Sequence, residues 1–397
     1  MRKVLGGLLA FLLVASFALA ACSTAAPAPE KTAAQSSAAK PAETKSAESK
    51  PTTKAAEPQP ATKPAESKPE QKPAAASSAN SKDLTTVKVL LLRSISDAGI
   101  YIADEKGFFK EQGIAIDYDN ASNGSEMIPL LSTNKIDVAG PAINAATFNA
   151  IIRGVDMKLV ADKGSAAKGF GYTAFVLRKD LADTGKYKDF KDLKGLTIAL
   201  SPPKDGTANA VDLSNALKKA GLTENDVKIT NVAYGDMSAA MANKAIDAAI
   251  EIEPLISAGV AKGIWVHWKD MDELYPVRQY TAIAYSPGFA KTEAAKKFMV
   301  AYLKGVRAYN DAFSKGVDKA AIISILAKHT TLKDPAAYEK IAPAYLNPNG
   351  AIALDNVKGD LQWFKQKGLV QGDVDLSKLI DNQFVDYAVQ QLGKYQP

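Results

Sequence analysis

Residues 101–119, YIADEKGFFKEQGIAIDYD, predict a helix, a glycine and a strand in that order. Ile100, Ala103 and Gly107 fall on one helical face. After Gly113, Ile114 and alternate residues have the pattern of a half-buried strand. A near copy, LKKAGLTENDVKIT, occupies residues 217–230, about a hundred positions further on. The chain therefore contains the same local unit twice.

A second match supports an internal repeat. NKIDVA at 134–139 corresponds to NKAIDAA at 243–249, so both pairs of segments are shifted by 108 to 110 positions. Each half then has the order strand, helix, glycine, strand, helix, strand. This alternation is typical of parallel α/β packing. We predict an α/β protein of two lobes, each with a mainly parallel sheet flanked by helices.

The loops after the strands predict where a ligand would bind. A buried strand at 87–93 leads into SISDAG, and the strand at 196–200 leads into SPPKDGTAN. The carboxyl ends of parallel strands open on a crevice, so two facing lobes would enclose a small molecule. After about residue 285, helical stretches dominate, and we expect them mainly to flank the first lobe.

The N-terminus has the pattern of an export signal. MRK is followed by an apolar run at 4–21 that ends in Leu19-Ala20-Ala21-Cys22. The alternative is a spanning helix, since the run approaches the roughly 20 residues that a bilayer requires. The Leu-Ala-Ala-Cys ending resembles a bacterial lipobox, which implies a signal peptide at 1–21 and lipidation of Cys22. Cys22 is the only cysteine of the chain, so the folded part has neither a disulfide nor a thiolate site.

Residues 22–83 are predicted to form a disordered tether. Between 23 and 82 the chain uses only Ala, Pro, Ser, Thr, Lys, Glu, Gln and Asn, which cannot bury enough apolar surface to offset the entropy of ordering. The signal and this tether carry most of the net charge of +6, which leaves about +1 for residues 83–397. This balance does not indicate a nucleic-acid-binding domain.

The folded part resembles the type II periplasmic binding proteins, specifically the group of sulfonate, nitrate, taurine and thiamine-precursor receptors. The resemblance rests on YIADEKGFF at 101–109, Gly113-Ile114, NKIDV at 134–138, DLKGLTIA at 192–199, and IDA at 246–248 followed by Glu253-Pro254. It implies two lobes joined by a two-strand hinge, with crossings expected near 177–180 and 282–286. The implied boundaries are 84–179 for the first part of lobe 1, 180–283 for lobe 2, and 284–397 for the helical return to lobe 1.

Twelve residues are candidates for ligand contacts, each with a structural alternative. Arg93 could line the cleft or form a salt bridge between the lobes, and Asn144 could face the cleft or cap a helix. Asn123 could bind a ligand or turn the chain. Lys204 and Thr207 lie at a helix start that favours anions. The remaining candidates are hydroxyl, aromatic or acidic residues near strand ends or the hinge: Ser94, Ser122, Phe170, Tyr172, Tyr234, Glu251 and Glu253.

The resemblance implies a receptor that delivers a small solute to the permease and ATPase of an ABC importer, held as a monomer on the outer face of the cytoplasmic membrane. Only five arginines lie outside the signal, and the aromatic and amide candidates favour a planar vitamin-like ring such as riboflavin or a thiamine precursor. The alternatives are a receptor for a sulfonate or nitrate, and a sensor that signals through a membrane protein. His267 and His329 have no metal-ligand partner at useful spacing, so we expect neither an enzyme, a cofactor nor a metal site.

Overall fold

The computed structural model describes residues 84–396 of the chain. The predicted signal, Cys22 and almost all of the predicted tether lie outside the described residues. Within them, no helix is long and apolar enough to cross a membrane.

The described residues form two five-stranded sheets with the same strand arrangement. The strands are β1 (Thr85–Leu91), β2 (Ile114–Asn120), β3 (Val138–Ala139), β4 (Lys158–Ala167), β5 (Thr173–Arg178), β6 (Thr197–Leu200), β7 (Lys228–Asn231), β8 (Ala248–Ile252), β9 (Trp265–Asp270) and β10 (Val277–Tyr285). Their orders are β2-β1-β3-β10-β4 in lobe 1 and β7-β6-β8-β5-β9 in lobe 2. Each sheet is mixed, because β10 and β5 run antiparallel to both of their neighbours.

Helices cover both sheets. Those of the first half are α1 (Ala98–Glu105), α2 (Phe108–Glu111), α3 (Met127–Ser132) and α4 (Ala145–Ile152), and those of lobe 2 are α5 (Lys179–Ala182), α6 (Ala208–Lys219), α7 (Tyr234–Ala242) and α8 (Leu255–Ala261). The helical return comprises α9 (Glu293–Lys315), α10 (Lys319–His329), α11 (Leu354–Gln366), α12 (Leu376–Leu379) and α13 (Gln383–Leu392). As expected, it packs mainly on lobe 1: α9 contacts α1, α2 and β2, and α13 contacts α9 and β4.

The long helix α9 shows how sequence sets packing. Thr292 caps its start by accepting a hydrogen bond from the Ala295 N–H, and Gly316 ends it at a positive φ of 74°. Its core face is a row of fully buried side chains: Phe298, Tyr302, Val306 and Tyr309. Phe298 and Val306 each contribute roughly 1.5–3 kcal/mol through burial.

The repeated motif has a structural function. The Asp137 carboxylate accepts a hydrogen bond from the Lys88 N–H at 2.9 Å, and Asp247 accepts one from the Thr197 N–H at 2.8 Å. Asp137 thus joins β3 to β1, and Asp247 joins β8 to β6. Asn134 and Lys244, which precede them, share positive φ values of 54° and 59°. The copies therefore close the same turn in each lobe.

The lobe crossings differ from the expected positions. The chain passes from β4 to β5 through residues 168–172 and returns from β9 to β10 through 271–276. Both crossings lie earlier than the expected 177–180 and 282–286, so 173–179 belongs with lobe 2 and 277–283 with lobe 1. The expected crossings lie at the ends of β5 and β10, because the sequence pattern shows where a buried strand ends. In the structure each crossing instead lies just before the strand, which then enters the sheet of the lobe that the chain has reached.

A buried ion cluster connects the lobes beside the second crossing. Arg278, on β10, lies 2.5 Å from the Asp212 carboxylate of lobe 2 and 2.8 Å from the Asp360 carboxylate of α11. It also donates to the Ala208 carbonyl at 3.0 Å. Arg278 and Asp212 are fully buried. This cluster holds β10, α6 and α11 together.

Candidate functional site: a cavity between the lobes

A cavity of about 320 Å³ lies between the lobes at the carboxyl ends of the central strands. Nine of the twelve candidate residues line it: Arg93, Ser94, Ser122, Asn123, Asn144, Tyr172, Thr207, Tyr234 and Glu253. They come from separate loops of both lobes. The structure thus brings together most of the side chains that the strand ends indicated.

Three candidates lie elsewhere. The Lys204 ammonium pairs with Asp205 at 2.8 Å, and Lys204 lines a separate groove beside Trp363. Phe170 lies in the first crossing and packs edge-on against Tyr345, with ring centroids 5.6 Å apart. Glu251 is fully buried behind the strand end and is not among the cavity-lining residues. Position near a strand end does not reveal on which side a side chain points.

Arg93 is held in an unusual backbone conformation at the rim. Its φ of 59° is left-handed, which a non-glycine residue rarely adopts. Its Nε donates to the His329 carbonyl at 3.4 Å, and its own carbonyl accepts from the Thr331 N–H at 3.3 Å. Among residues 84–396 no carboxylate forms a salt bridge with Arg93, and it is the only lysine or arginine that lines this cavity. Its guanidinium is available to a ligand.

Several lining side chains also build the local structure. Asn144 caps α4 through the Thr147 N–H at 2.9 Å and donates to the Ser125 hydroxyl at 3.1 Å. Thr207 caps α6 by accepting a hydrogen bond from the Ala210 N–H. Asn123 donates to Glu126 at 2.7 Å and so closes the turn after β2. These residues shape the wall and leave part of their polar surface towards the cavity.

Aromatic rings form one side of the cavity. Tyr172 and Tyr280 pack edge to face, with centroids 5.8 Å apart, and the Tyr280 hydroxyl donates to Asp212 at 2.9 Å. Tyr234 begins α7, and its hydroxyl accepts from Asn209 at 2.8 Å. Burial raises the pKa of Tyr234 to about 12. These rings offer apolar faces and neutral hydroxyls.

Glu253 is the only acidic residue that lines the described cavity. Its two oxygens accept from the Ser257 hydroxyl at 2.7 Å and the Ser257 N–H at 3.0 Å, and burial raises its pKa. Burial also raises the pKa of Glu251 well above its ordinary value, while the Ile252 N–H is the donor to one oxygen. Both carboxyls are therefore biased towards the neutral form.

Other lining residues were missed by sequence reasoning: Ser96, Thr173, Asn209, Tyr280, Thr281 and Thr331. Tyr280 and Thr281 were missed because the second crossing was expected after them. Thr331 follows α10 and reaches the cavity only through the return of the chain to lobe 1. Only a correct position for the second crossing could have identified Tyr280 and Thr281 from the sequence.

No cluster of three or more His, Cys, Asp or Glu side chains that could hold a metal ion occurs within residues 84–396.

Two lobes of this strand order with a cavity between them define a periplasmic-binding-protein-like fold. Solved structures agree: the aliphatic sulphonate binding protein SsuA from Escherichia coli matches with a TM-score of 0.60 and 19% identity, covering 75% of this chain and 92% of that one. The nitrate-binding protein NrtA from Synechocystis PCC 6803 has a TM-score of 0.63 and 18% identity, covering 78% and 90%. The desulfurization enzyme DSZB matches with a TM-score of 0.57 and 14% identity, and the match covers 77% of this chain and 99% of that one.

Residues 95–312 match the family model described as NMT1/THI5 like. This match spans more than half of the chain, so the chain belongs to the NMT1/THI5-like family. No curated protein matches this sequence.

Proposed function

We propose that this protein is an exported, lipid-anchored receptor that captures a small solute between its lobes and delivers it to the permease and ATPase of an ABC importer. The observation that carries the proposal is the cavity itself, which both lobes line with hydroxyl, amide and aromatic groups. Its volume of about 320 Å³ is in the range of small-molecule sites, which begins at roughly 300 Å³. Membership of the family and the fold shared with SsuA and NrtA support this function.

For the ligand, we propose a planar heterocycle with polar substituents, such as riboflavin or a thiamine precursor. Tyr172, Tyr234 and Tyr280 supply apolar ring faces, and neutral donors and acceptors surround them. Stacked aromatic pairs contribute about 0.5–1.5 kcal/mol beyond area burial. The polar groups would then orient the ring.

The second candidate ligand is a sulfonate or nitrate. Arg93 lines the cavity without a salt bridge to a described carboxylate, and a guanidinium can bind an oxoanion through two parallel hydrogen bonds. The structural similarity to a sulphonate-binding and a nitrate-binding protein points the same way.

A thermal-shift screen of the purified protein tests both candidates. Flavins, thiamine precursors, alkanesulfonates and nitrate are added in turn, and we expect one class to raise the melting temperature saturably, because a ligand that binds only the folded state stabilises it. No shift with any of the four classes would contradict the proposed ligands.

The anchor has its own test. Cys22→Ala should move the protein from the membrane fraction to the soluble exported fraction, because Cys22 is the only thiol available for lipidation. Affinity for the solute should be unchanged. Continued fractionation of this variant with membranes would contradict the lipoprotein proposal.

A further inference from the structure

The cavity floor in lobe 1 rests on a buried ion pair. The Lys163 ammonium, on β4, lies 2.5 Å from the Asp97 carboxylate, and both side chains have no solvent exposure. The other Asp97 oxygen accepts from the Leu92 N–H at 3.2 Å and the Ser94 N–H at 3.0 Å. Asp97 therefore fixes the loop after β1, and Lys163 neutralises it.

Lys163 connects this pair to two hydroxyls that line the cavity. Its Nζ lies 3.0 Å from Ser96 Oγ, and Ser96 Oγ lies 2.7 Å from Ser94 Oγ. An ammonium can only donate, so Ser96 must accept from Lys163. The two hydroxyls have two protons, and their mutual bond uses one. Whichever serine donates in that bond, the hydroxyl proton of the other serine remains available to a ligand in the cavity.

A third hydroxyl, that of Thr281, lies beside the two serine hydroxyls. Thr281 Oγ1 is buried, has no hydrogen-bond partner among the described residues and belongs to the cavity lining. A Cβ built on Gly164 would lie 2.8 Å from Thr281 Oγ1, 2.8 Å from Ser96 Cβ and 3.0 Å from the Tyr172 hydroxyl. The side chains of Ser96, Tyr172 and Thr281 therefore converge on Gly164. Leaving a buried polar atom without a partner destabilises the folded protein, and a suitable ligand atom would recover this cost.

We propose that these hydroxyls form a subsite for an oxygen acceptor of the ligand, and that Lys163 is a positioning residue that holds the Ser96 hydroxyl in place by donating a hydrogen bond to it. The proposal rests on the proposed function and narrows it: the ligand places a carbonyl or oxoanion oxygen, and not an ammonium group, against Ser94, Ser96 and Thr281. A ring carbonyl of a heterocycle and an oxygen of a sulfonate or nitrate share this chemistry. Arg93 at the rim adds a positive charge on the same side of the cleft.

The first test needs no ligand. In the full-length chain with ¹⁵N-labelled lysine, NMR should show a slowly exchanging side-chain ammonium at neutral pH, assigned to Lys163 by its absence in the neutral double variant Asp97→Asn/Lys163→Met. Ser96→Ala should shift this resonance, whereas Ser132→Ala, at a half-buried serine of α3 outside the cavity lining, should leave it unchanged. A resonance that does not respond to Ser96→Ala would overturn the proposed hydrogen bond from Lys163 to Ser96.

The second test measures recognition with riboflavin, ethanesulfonate, nitrate and ethylammonium as probes. Ser96→Ala and Thr281→Val should each weaken binding of an acceptor probe at least tenfold, and Ser132→Ala should change it less than twofold. Gly140→Ala is a further variant that leaves every charge in place, because its Cβ would lie 2.1 Å from Lys163 Cε and displace the ammonium. Gly140→Ala should also weaken binding of the acceptor probe.

The outcomes separate the two proposals. Binding of riboflavin alone assigns a ring carbonyl to the subsite, and binding of ethanesulfonate or nitrate alone assigns an oxoanion. Binding of ethylammonium that depends on Ser96 would overturn the acceptor subsite. If no probe binds while the lysine resonance behaves as expected, the proposed ligands fail and the hydrogen bond from Lys163 to Ser96 stands. If a probe binds and Ser96→Ala and Thr281→Val have no effect, the subsite fails and the receptor function stands.

Discussion

At the residue scale, Tyr234 and Arg93 distinguish the two ligand classes. Tyr234→Ala should weaken binding of a heterocycle roughly tenfold or more, because it removes a ring face and its buried area. This loss should depend little on salt. Arg93→Ala should instead abolish most binding of an oxoanion, whose affinity rests on charge-assisted hydrogen bonds. Titrations at low and high ionic strength measure both effects.

Phe170→Ala is the matched control for Tyr234→Ala, because Phe170 packs on Tyr345 and does not line the cavity. The ligand affinity of the Phe170→Ala variant should remain close to that of the unmodified protein. If only Arg93→Ala loses binding, the heterocycle proposal fails and the oxoanion proposal replaces it.

A second residue-scale prediction concerns Asp360. One guanidinium, that of Arg278, faces both Asp360 and Asp212, and burial raises the pKa of Asp360 to about 6 from an ordinary 3.8. The folded state therefore holds this proton more tightly than the unfolded chain does. Its contribution to the free energy of unfolding is present below about pH 4 and is lost as pH rises through about 6, a change on the order of 3 kcal/mol.

Asp360→Asn removes this titration. The unfolding free energy of the variant, relative to the unmodified protein, should therefore increase by up to about 3 kcal/mol between pH 4 and pH 7. Urea denaturation at pH 4, 5, 6 and 7 measures the difference, with Asp355→Asn on the exposed start of α11 as the control. A difference that is constant with pH would show that Asp360 is ionised throughout.

At the element scale, α1 and α9 pack with their backbones in close approach. A Cβ on Gly305 of α9 would lie 2.1 Å from the Gly99 carbonyl oxygen of α1. Gly305→Ala should therefore destabilise the protein by roughly 1–3 kcal/mol, the usual cost of overpacking. Chemical denaturation measures the loss.

Gly359→Ala supplies the control within another helix, α11. A Cβ there has no atom within 4 Å, so alanine should be neutral or stabilise by up to about 1 kcal/mol through its better helix propensity. Equal effects of the two substitutions would contradict the packing argument.

At the scale of the whole molecule, the two crossings make closure around a ligand the expected motion. Spin labels at Asp119→Cys in lobe 1 and Asp236→Cys in lobe 2, both exposed, would report the distance across the cleft. Replacing Cys22 leaves these as the only thiols of the chain. We expect the distance distribution to shift shorter and narrow when a saturating ligand is added.

Labels at Lys110→Cys and Asp119→Cys, both within lobe 1, form the control pair and should show no change. If the interlobe distance stays the same while calorimetry confirms binding, the lobes do not close on the ligand.

The sequence alone determined the two-lobed α/β architecture and most of the strand ends that meet at the cavity. It could do so because hydrophobic periodicity and the 108-to-110-residue repeat are local signals, carried by segments such as 101–119 and 217–230. Nine of the twelve candidate residues line the cavity. Eight of them follow strands that run parallel, because parallel strands bring their carboxyl ends to one edge of a sheet. Tyr172 instead precedes the antiparallel strand β5.

Only the tertiary structure decided the rest. The crossings at 168–172 and 271–276 depend on which sheet accepts β5 and β10, which the strands' own composition does not record. Lys163, 0% exposed, becomes part of the cavity floor because β4 places it beside Asp97 and Ser96, 66 and 67 positions earlier in the chain. Such contacts between distant segments arise from packing, and periodicity within one segment carries no information about them.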